Sequence, residues 1–465
     1  MRTLFSKGII GMSALAVMGL ASCTNENDPM GNNGQTAEPG EPTHVTLSLD
    51  LNNATSTKAI QDDNATTEET TITHLNVFIY DKNGVLENAE KILMDDLQDG
   101  GDNVYTTNEL KTTTGAKTVY VGLNMTDAMV AQLKATAAQN LPSTAAKVAL
   151  GDLTSEATGF VMFSTQGKNA TFEAVPEEGG IPEANKVTLT VERLASKIAV
   201  GCEKAIDEIK QGAAGKIQNL RFVVDNINTL NYFPYAAGVA KDPNMTKAAY
   251  NEDDFVIEDD FATADNWNTI TPGTAEKTQW NYAYSAENVT EDKEMQGVTR
   301  VVVQGEFIPA TLIEKKDAGD GQVTWENKDN SGAVAAATFI QLEFAEAGGY
   351  AFFAGSTGDD VLKEYMAFKK GVETAEISDE ILKAAKKVYT NGYNYWWITT
   401  KEGRGDIVRN NFYRVNITSI WAPGRTDGKF DPDKDDEKVD EETNIEFTVT
   451  VAPWKLVEQD TDLRP

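Results

Sequence analysis

From His44 onward, apolar and polar side chains alternate in short bursts, each closed by Gly, Asn, Asp or Pro. A period of two turns one face of each burst toward a core and the other toward solvent. The chain is therefore patterned for strands rather than long helices. The clearest bursts are 44–51, 74–80, 117–123, 186–191, 194–200, 220–224, 298–307, 337–344, 412–420 and 444–451. Helical spacing is confined to 128–138 behind Thr126-Asp127, 379–388 behind Ser378, and 361–370. Many short strands with few helices predict a mainly β chain of β-sandwiches, not an α/β enzyme fold. All seven Trp lie at or beyond residue 267, which splits the composition in two. The polar, Gly-containing stretch 203–215 is the predicted boundary, giving units 59–202 and 203–465. No fixed-period repeat is present, which excludes solenoids and propellers.

Charge narrows the function. Against 41 Lys and Arg stand 72 Asp and Glu among 465 residues, a net charge of −31. Nucleic acid and anionic lipid would be repelled. Two His and two Cys leave no room for a Cys/His zinc site, a disulfide scaffold or a His-centred triad. No Walker A, HExxH, GxSxG or GxGxxG motif occurs, so neither a catalytic constellation nor a cofactor is expected. Asp431, Asp433, Asp435 and Glu442 sit at calcium-loop spacing, but Asp436 occupies the place that needs Gly. A solvated acidic loop is the simpler reading, and no metal site is expected. Arg404-Gly405-Asp406 spells an adhesive tripeptide, yet it reads more economically as a turn before the strand at Phe412. Tyr393, Tyr395, Trp396 and Trp397 could stack on sugars, or line the inner face of a sandwich.

The amino terminus reads as an address. Arg2 and Lys7 precede an uncharged, mostly apolar run over 8–21, too short to span a bilayer. It ends Leu20-Ala21-Ser22-Cys23, which looks like a bacterial lipobox. Residues 1–22 are then a signal peptide and Cys23 carries a lipid. Residues 24–42 are rich in Asn, Gly, Glu and Pro and suit a flexible tether. Cys202 closes an apolar run and reads as a buried core residue.

Three further segments carry a family resemblance. Val191-Glu192-Arg193-Leu194-Ala195-Ser196-Lys197-Ile198 resembles a strand near the end of the first domain of the type V fimbrilins, lipoprotein-derived pilins of Bacteroidales. Val408-Arg409-Asn410-Asn411-Phe412-Tyr413-Arg414-Val415-Asn416-Ile417 resembles their RN-x-x-Y-x-V-x-I segment, and Val449-Thr450-Val451-Ala452-Pro453-Trp454 their C-terminal V-x-V-x-P-W strand. The Mfa-like branch is the best match. The resemblance implies two tandem transthyretin-like β-sandwiches with a few short helices. It also implies a surface fimbria of identical subunits joined head to tail, with accessory tip and anchor pilins and surface receptors as partners. The precursor would sit in the outer membrane through its lipid alone. Family members are cut by an Arg-specific protease after the first strand. No Arg lies between Arg2 and Arg193 here, so a cut in that loop must fall between Lys58 and Ala59. Residues 23–58 are then a propeptide.

Strand patterning fits assembly independently. Val45, Leu47, Leu49 and Leu51 form one apolar face near the start of the chain, and Ile445, Phe447, Val449 and Val451 form another near its end. Loss of the first strand would leave a trench that a second subunit's last strand could fill by β-augmentation. The alternatives are a surface glycan-binding lipoprotein and a tip or anchor pilin.

Overall fold

The computed structural model describes residues 40–50, 66–101, 104–164, 166–209, 214–234, 242–244, 251–258, 260–289, 295–319, 321–344, 349–399, 406–430 and 445–453. Cys23, Leu51, Lys58, Ala59, the Arg404-Gly405 pair and the acidic loop 431–442 lie outside the described residues.

The architecture is mostly β. In the first half, strand β1 (Pro42–Asp50) lies in one sheet and β2 (His74–Asp81) in another. Between the sheets sits a core of Val45, Leu47 and Leu49 from β1, Leu75, Val77 and Ile79 from β2, and Val119, Val121 and Leu123 from the strand Gly115–Leu123. The opposite face of β2, with Phe78 and Tyr80, is buried in a second core together with Leu133 and Met129 of helix Asp127–Lys134. Both faces of β2 are therefore covered, and all eight of its residues are buried.

The second half is another sandwich. One sheet contains β4 (Ala195–Gly201), flanked by β5 (Tyr282–Ala286) and β7 (Asn411–Ile420), with β8 (Ile445–Pro453) outside β7. The facing sheet contains Gly215–Asp225, Arg300–Pro309 and β6 (Tyr393–Ile398). Ile198, Val200, Val415 and Ile417 from the first sheet pack on Phe222, Val303, Trp396 and Ile398 from the second. The chain enters this sandwich ahead of the predicted boundary at 203–215. Ala195–Gly201 pairs with Tyr282–Ala286 and Asn411–Ile420, so the chain changes sheets between Arg193 and Ala195. An apolar run shows that a strand is buried but not in which sheet.

Between Arg300–Pro309 and β6 the chain builds a cap. It comprises the hairpin Thr311–Gly319 and Gln322–Asp329, the three-stranded sheet of Gly349–Ala354, Phe339–Phe344 and Lys386–Tyr389, and helices Asp359–Lys370 and Asp379–Ala385. The helix Asp359–Lys370 starts with Asp359 and Asp360, ends with Lys369 and Lys370, and stops at Gly371 with φ 66°, each choice favouring that direction of the helix dipole and that terminus. Ser378 accepts a hydrogen bond from Ile381 N to begin the next helix. That helix ends at Ala385, earlier than its periodicity suggests, because Lys386–Tyr389 pairs with Phe339–Phe344. Likewise the helix at Asp127–Lys134 stops short of 138, and Ala138–Ser143 tightens into a 3-10 turn containing Pro142.

Candidate functional site

Within its sheet, β1 is an internal strand. On one edge it runs parallel to β3 (Lys186–Leu189), with Leu47 opposite Val187 and Leu49 opposite Leu189. On the other it is antiparallel to Val104–Thr106 and Leu110–Thr113, with Leu49 opposite Tyr105 and Val45 opposite Leu110. Thr107 closes the gap between these two short partners: Leu47 N donates to its Oγ1 at 3.0 Å and Thr107 N donates to Leu47 O at 2.9 Å. Fully buried Asn185 fixes the entry of the strand, donating to His44 O at 2.9 Å and to Glu173 O at 2.8 Å. Val45, Leu47 and Leu49 are buried as their alternation predicted. Burial of three such side chains stabilises by roughly 5–9 kcal/mol before ordering costs. Taking β1 away would leave two facing sheet edges and three apolar seats. Asn185 was missed by the sequence reading, since an Asn in a turn carries no signal that it is buried.

At the other end of the chain, β8 pairs only with β7, so it is an edge strand among the described residues. Phe447 stands opposite Ile417, Val449 opposite Val415 and Val451 opposite Tyr413. Of these three only the backbone pairing is described, whereas Ile445 is buried in the core of its own sandwich.

Where the halves meet, charge is buried. Helix α1 (Thr67–Thr70) follows the segment 51–65 and carries Glu69, which is wholly buried. Its Oε1 accepts from Lys197 Nζ at 2.7 Å and from Tyr284 OH at 2.6 Å, both groups belonging to the second sandwich. Register explains the meeting, because Lys197 on β4 is flanked by Tyr284 on β5 and Phe412 on β7. The Tyr282 ring lies 4.0 Å from the ammonium. Arg193 adds two hydrogen bonds to Glu69 O, at 3.2 and 2.9 Å. Burial pushes the Arg193 guanidinium down to about 10, against the opposing pull of Glu69. Burial, reinforced by Glu69, pushes the Tyr284 phenol well up, so it stays a donor.

A second buried pair stands nearby. Arg409 Nε donates to Glu287 Oε2 at 2.7 Å, and its terminal nitrogens donate to Phe233 O at 2.9 Å and Tyr232 O at 2.6 Å. Phe233 in turn packs on Phe163 of the first half, ring centres 5.6 Å apart. Arg193, Lys197 and Arg409 are three of the four basic residues of the two interior segments singled out in the sequence, Arg414 being the fourth. The structural role of those three is the joint.

Asp242 lies by this pair, its carboxylate accepting from Asn244 N at 2.6 Å and Val289 N at 2.8 Å. Burial, with a smaller push from Glu287, raises it to about 7. A carboxyl raised on folding stabilises fully below the unfolded value near 4, and that contribution is lost as pH rises through about 7. Between pH 4 and 7 the wild-type melting temperature should therefore fall relative to that of Asp242→Asn. Parallel pH profiles of the two proteins would refute this assignment.

The aromatic residues of β6 do not form a surface platform. Tyr395, Trp396 and Trp397 are buried, and only Tyr393 is partly exposed. Trp396 faces the main core while Tyr395 and Trp397 face a smaller one with Phe261 and Val298. Cys202 is buried as expected, and burial pushes its thiol up to about 12, so it is unreactive. Among the described residues no group of three or more His, Cys, Asp or Glu could hold a metal ion, and no helix is long and apolar enough to cross a membrane.

Two family models match the chain. Residues 43–193, which contain β1 and its groove, match the major fimbrial subunit protein (FimA). Residues 387–460, which contain β6, β7 and β8, match the C-terminal part of fimbrillin, the major fimbrial subunit protein type IV. Both models describe major fimbrial subunit proteins, and each matches less than half of the chain. The resemblance to fimbrilins read from the sequence agrees with these two matches. No curated protein matches. Similar solved structures include a candidate cell adhesion protein from Parabacteroides distasonis (11% identity, 90% of this chain and 100% of that one, TM-score 0.49). Another is a candidate cell adhesion protein from Bacteroides eggerthii (14% identity, 90% and 98%, TM-score 0.47). A third is the tip fimbrial protein Mfa3 from Porphyromonas gingivalis with a C-terminal truncation (10% identity, 88% and 99%, TM-score 0.34).

Proposed function

We propose that the chain is a shaft subunit of a surface fimbria. It is exported as a lipoprotein through Cys23, cut between Lys58 and Ala59, and polymerised when a neighbour's last strand replaces β1. The observation that carries this reading is the internal place of β1, which has hydrogen-bonded partners on both edges and three buried apolar side chains. An extended segment entering that trench would meet main-chain donors and acceptors on both sides, a stronger seat than a single open edge. The edge strand β8, with Ile445, Phe447, Val449 and Val451 in alternation, is the donor on this reading. Units 59–202 and 203–465 remain in the assembled chain, and identical subunits are the principal partners. Tip and anchor pilins and surface receptors complete the set.

The test is the amino terminus of surface filaments together with the Lys58→Ala variant. Filament subunits should begin at Ala59, and Lys58→Ala should accumulate as uncut, unpolymerised precursor. Filaments of normal length from Lys58→Ala would remove this cut site. Subunits that keep a lipidated Cys23 would instead make the chain an anchor pilin or a glycan-binding lipoprotein.

A further inference from the structure

We infer that the buried charges at the joint form a tie that holds the two sandwiches as one body when β1 is absent. The inference rests on reading β1 as a removable strand. Its geometrical basis is a division of the first half into two cores that share β2. Val45, Leu47 and Leu49 belong to the core on one face of β2, with Leu75, Val77 and Ile79. The joint belongs to the other face, where Phe78 and Tyr80 share a core with Phe160, Phe163, Leu194, Phe233 and Ala286. No residue of β1 enters that second core.

Both ion pairs are likewise independent of β1. Glu69 follows the segment 51–65 in sequence, so a cut in that segment leaves it on the retained chain. Lys197, Tyr284 and Arg193 bind it from β4, β5 and the strand Glu192–Arg193. Arg409 and Glu287 lie wholly in the second half and hold Tyr232 and Phe233, whose neighbours Leu230–Asn231 pair with Ala146–Lys147 of the first. Emptying the groove therefore strips one face of β2 and leaves the other face tied.

Charge suits this task. An apolar contact tolerates sliding, whereas the ammonium of Lys197 and the phenol of Tyr284 meet Glu69 Oε1 in one geometry, and loss of one partner leaves a desolvated charge uncompensated. Load entering at an occupied groove would pass through β2 to the joint and on into the second sandwich.

The test uses the uncut full-length chain, so its outcome does not depend on whether β1 is ever excised. All seven Trp lie in the second half, so indole fluorescence reports that half alone. Hydrogen exchange at the amides of β2 reports the first. In the wild type both probes should give one melting curve. In Lys197→Met and Glu69→Gln the first half should melt separately, with midpoints at least about 5 °C apart. The double variant Glu69→Gln/Lys197→Met removes both charges and keeps their volume. It should recover much of the lost stability while its two curves stay apart. Coincident curves in the double variant, or in both single variants, would overturn the tie and leave the cluster as ordinary packing.

Discussion

Leu47→Asp is expected to unseat β1 and open the first sandwich without unfolding the second. Leu47 is 2% exposed, and Thr107 binds its backbone from one side while Val187 sits opposite on the other. A carboxylate there has no basic partner in the apolar core around it, which costs several kcal/mol. Amides of Val104–Thr106, Leu110–Thr113 and Lys186–Leu189 should lose hydrogen-exchange protection, while β4 and β7 keep theirs. On the assembly reading the uncut variant should also accept a neighbour's strand, so it should polymerise without proteolysis. Unchanged protection in the three flanking strands would show that β1 is not a separable element.

Trp396→Ala should destabilise the second sandwich by about 3–5 kcal/mol, the usual cost of emptying a large aromatic site in a core. Trp396 is 2% exposed, packs with Val303, Val415 and Ile398, and donates from Nε1 to Ala422 O at 3.3 Å. A sugar-stacking residue would behave otherwise, with melting unchanged and glycan affinity lost. That result would restore the platform reading of Tyr393, Tyr395, Trp396 and Trp397.

Strands were legible wherever one face was apolar and the other polar. Pro42–Asp50 and Asn411–Ile420 announce themselves by alternation, and the structure places both within a residue or two of the expected limits. The hairpin Thr311–Gly319 and Gln322–Asp329 did not. Lys and Glu crowd both of its strands, most of its side chains face solvent, and no apolar period marks it. Sheet membership was also hidden, since Ala195–Gly201 is buried throughout and would suit either sandwich. The joint was the hardest part to see. Lys197 finds Glu69 across 128 positions of chain, a pairing that no local pattern encodes. One clue was available: a Lys set between Ser196 and Ile198 in a strand with no polar face must be either exposed at an edge or paired in the interior.

The cap between Arg300–Pro309 and β6 has two unlike surfaces. Phe339, Phe352 and Tyr389 plug the main core beside Phe307, while Ile340, Leu342 and Phe353 hold its own helices. On the first of those helices and just after it, Phe368 and Val372 are exposed. Substitutions in this insert should therefore be tolerated on one side only. Its outer helices can change without disturbing the sandwich and, on the assembly reading, would alter what a filament displays along its length, whereas its inner sheet is as constrained as the sandwich it seals.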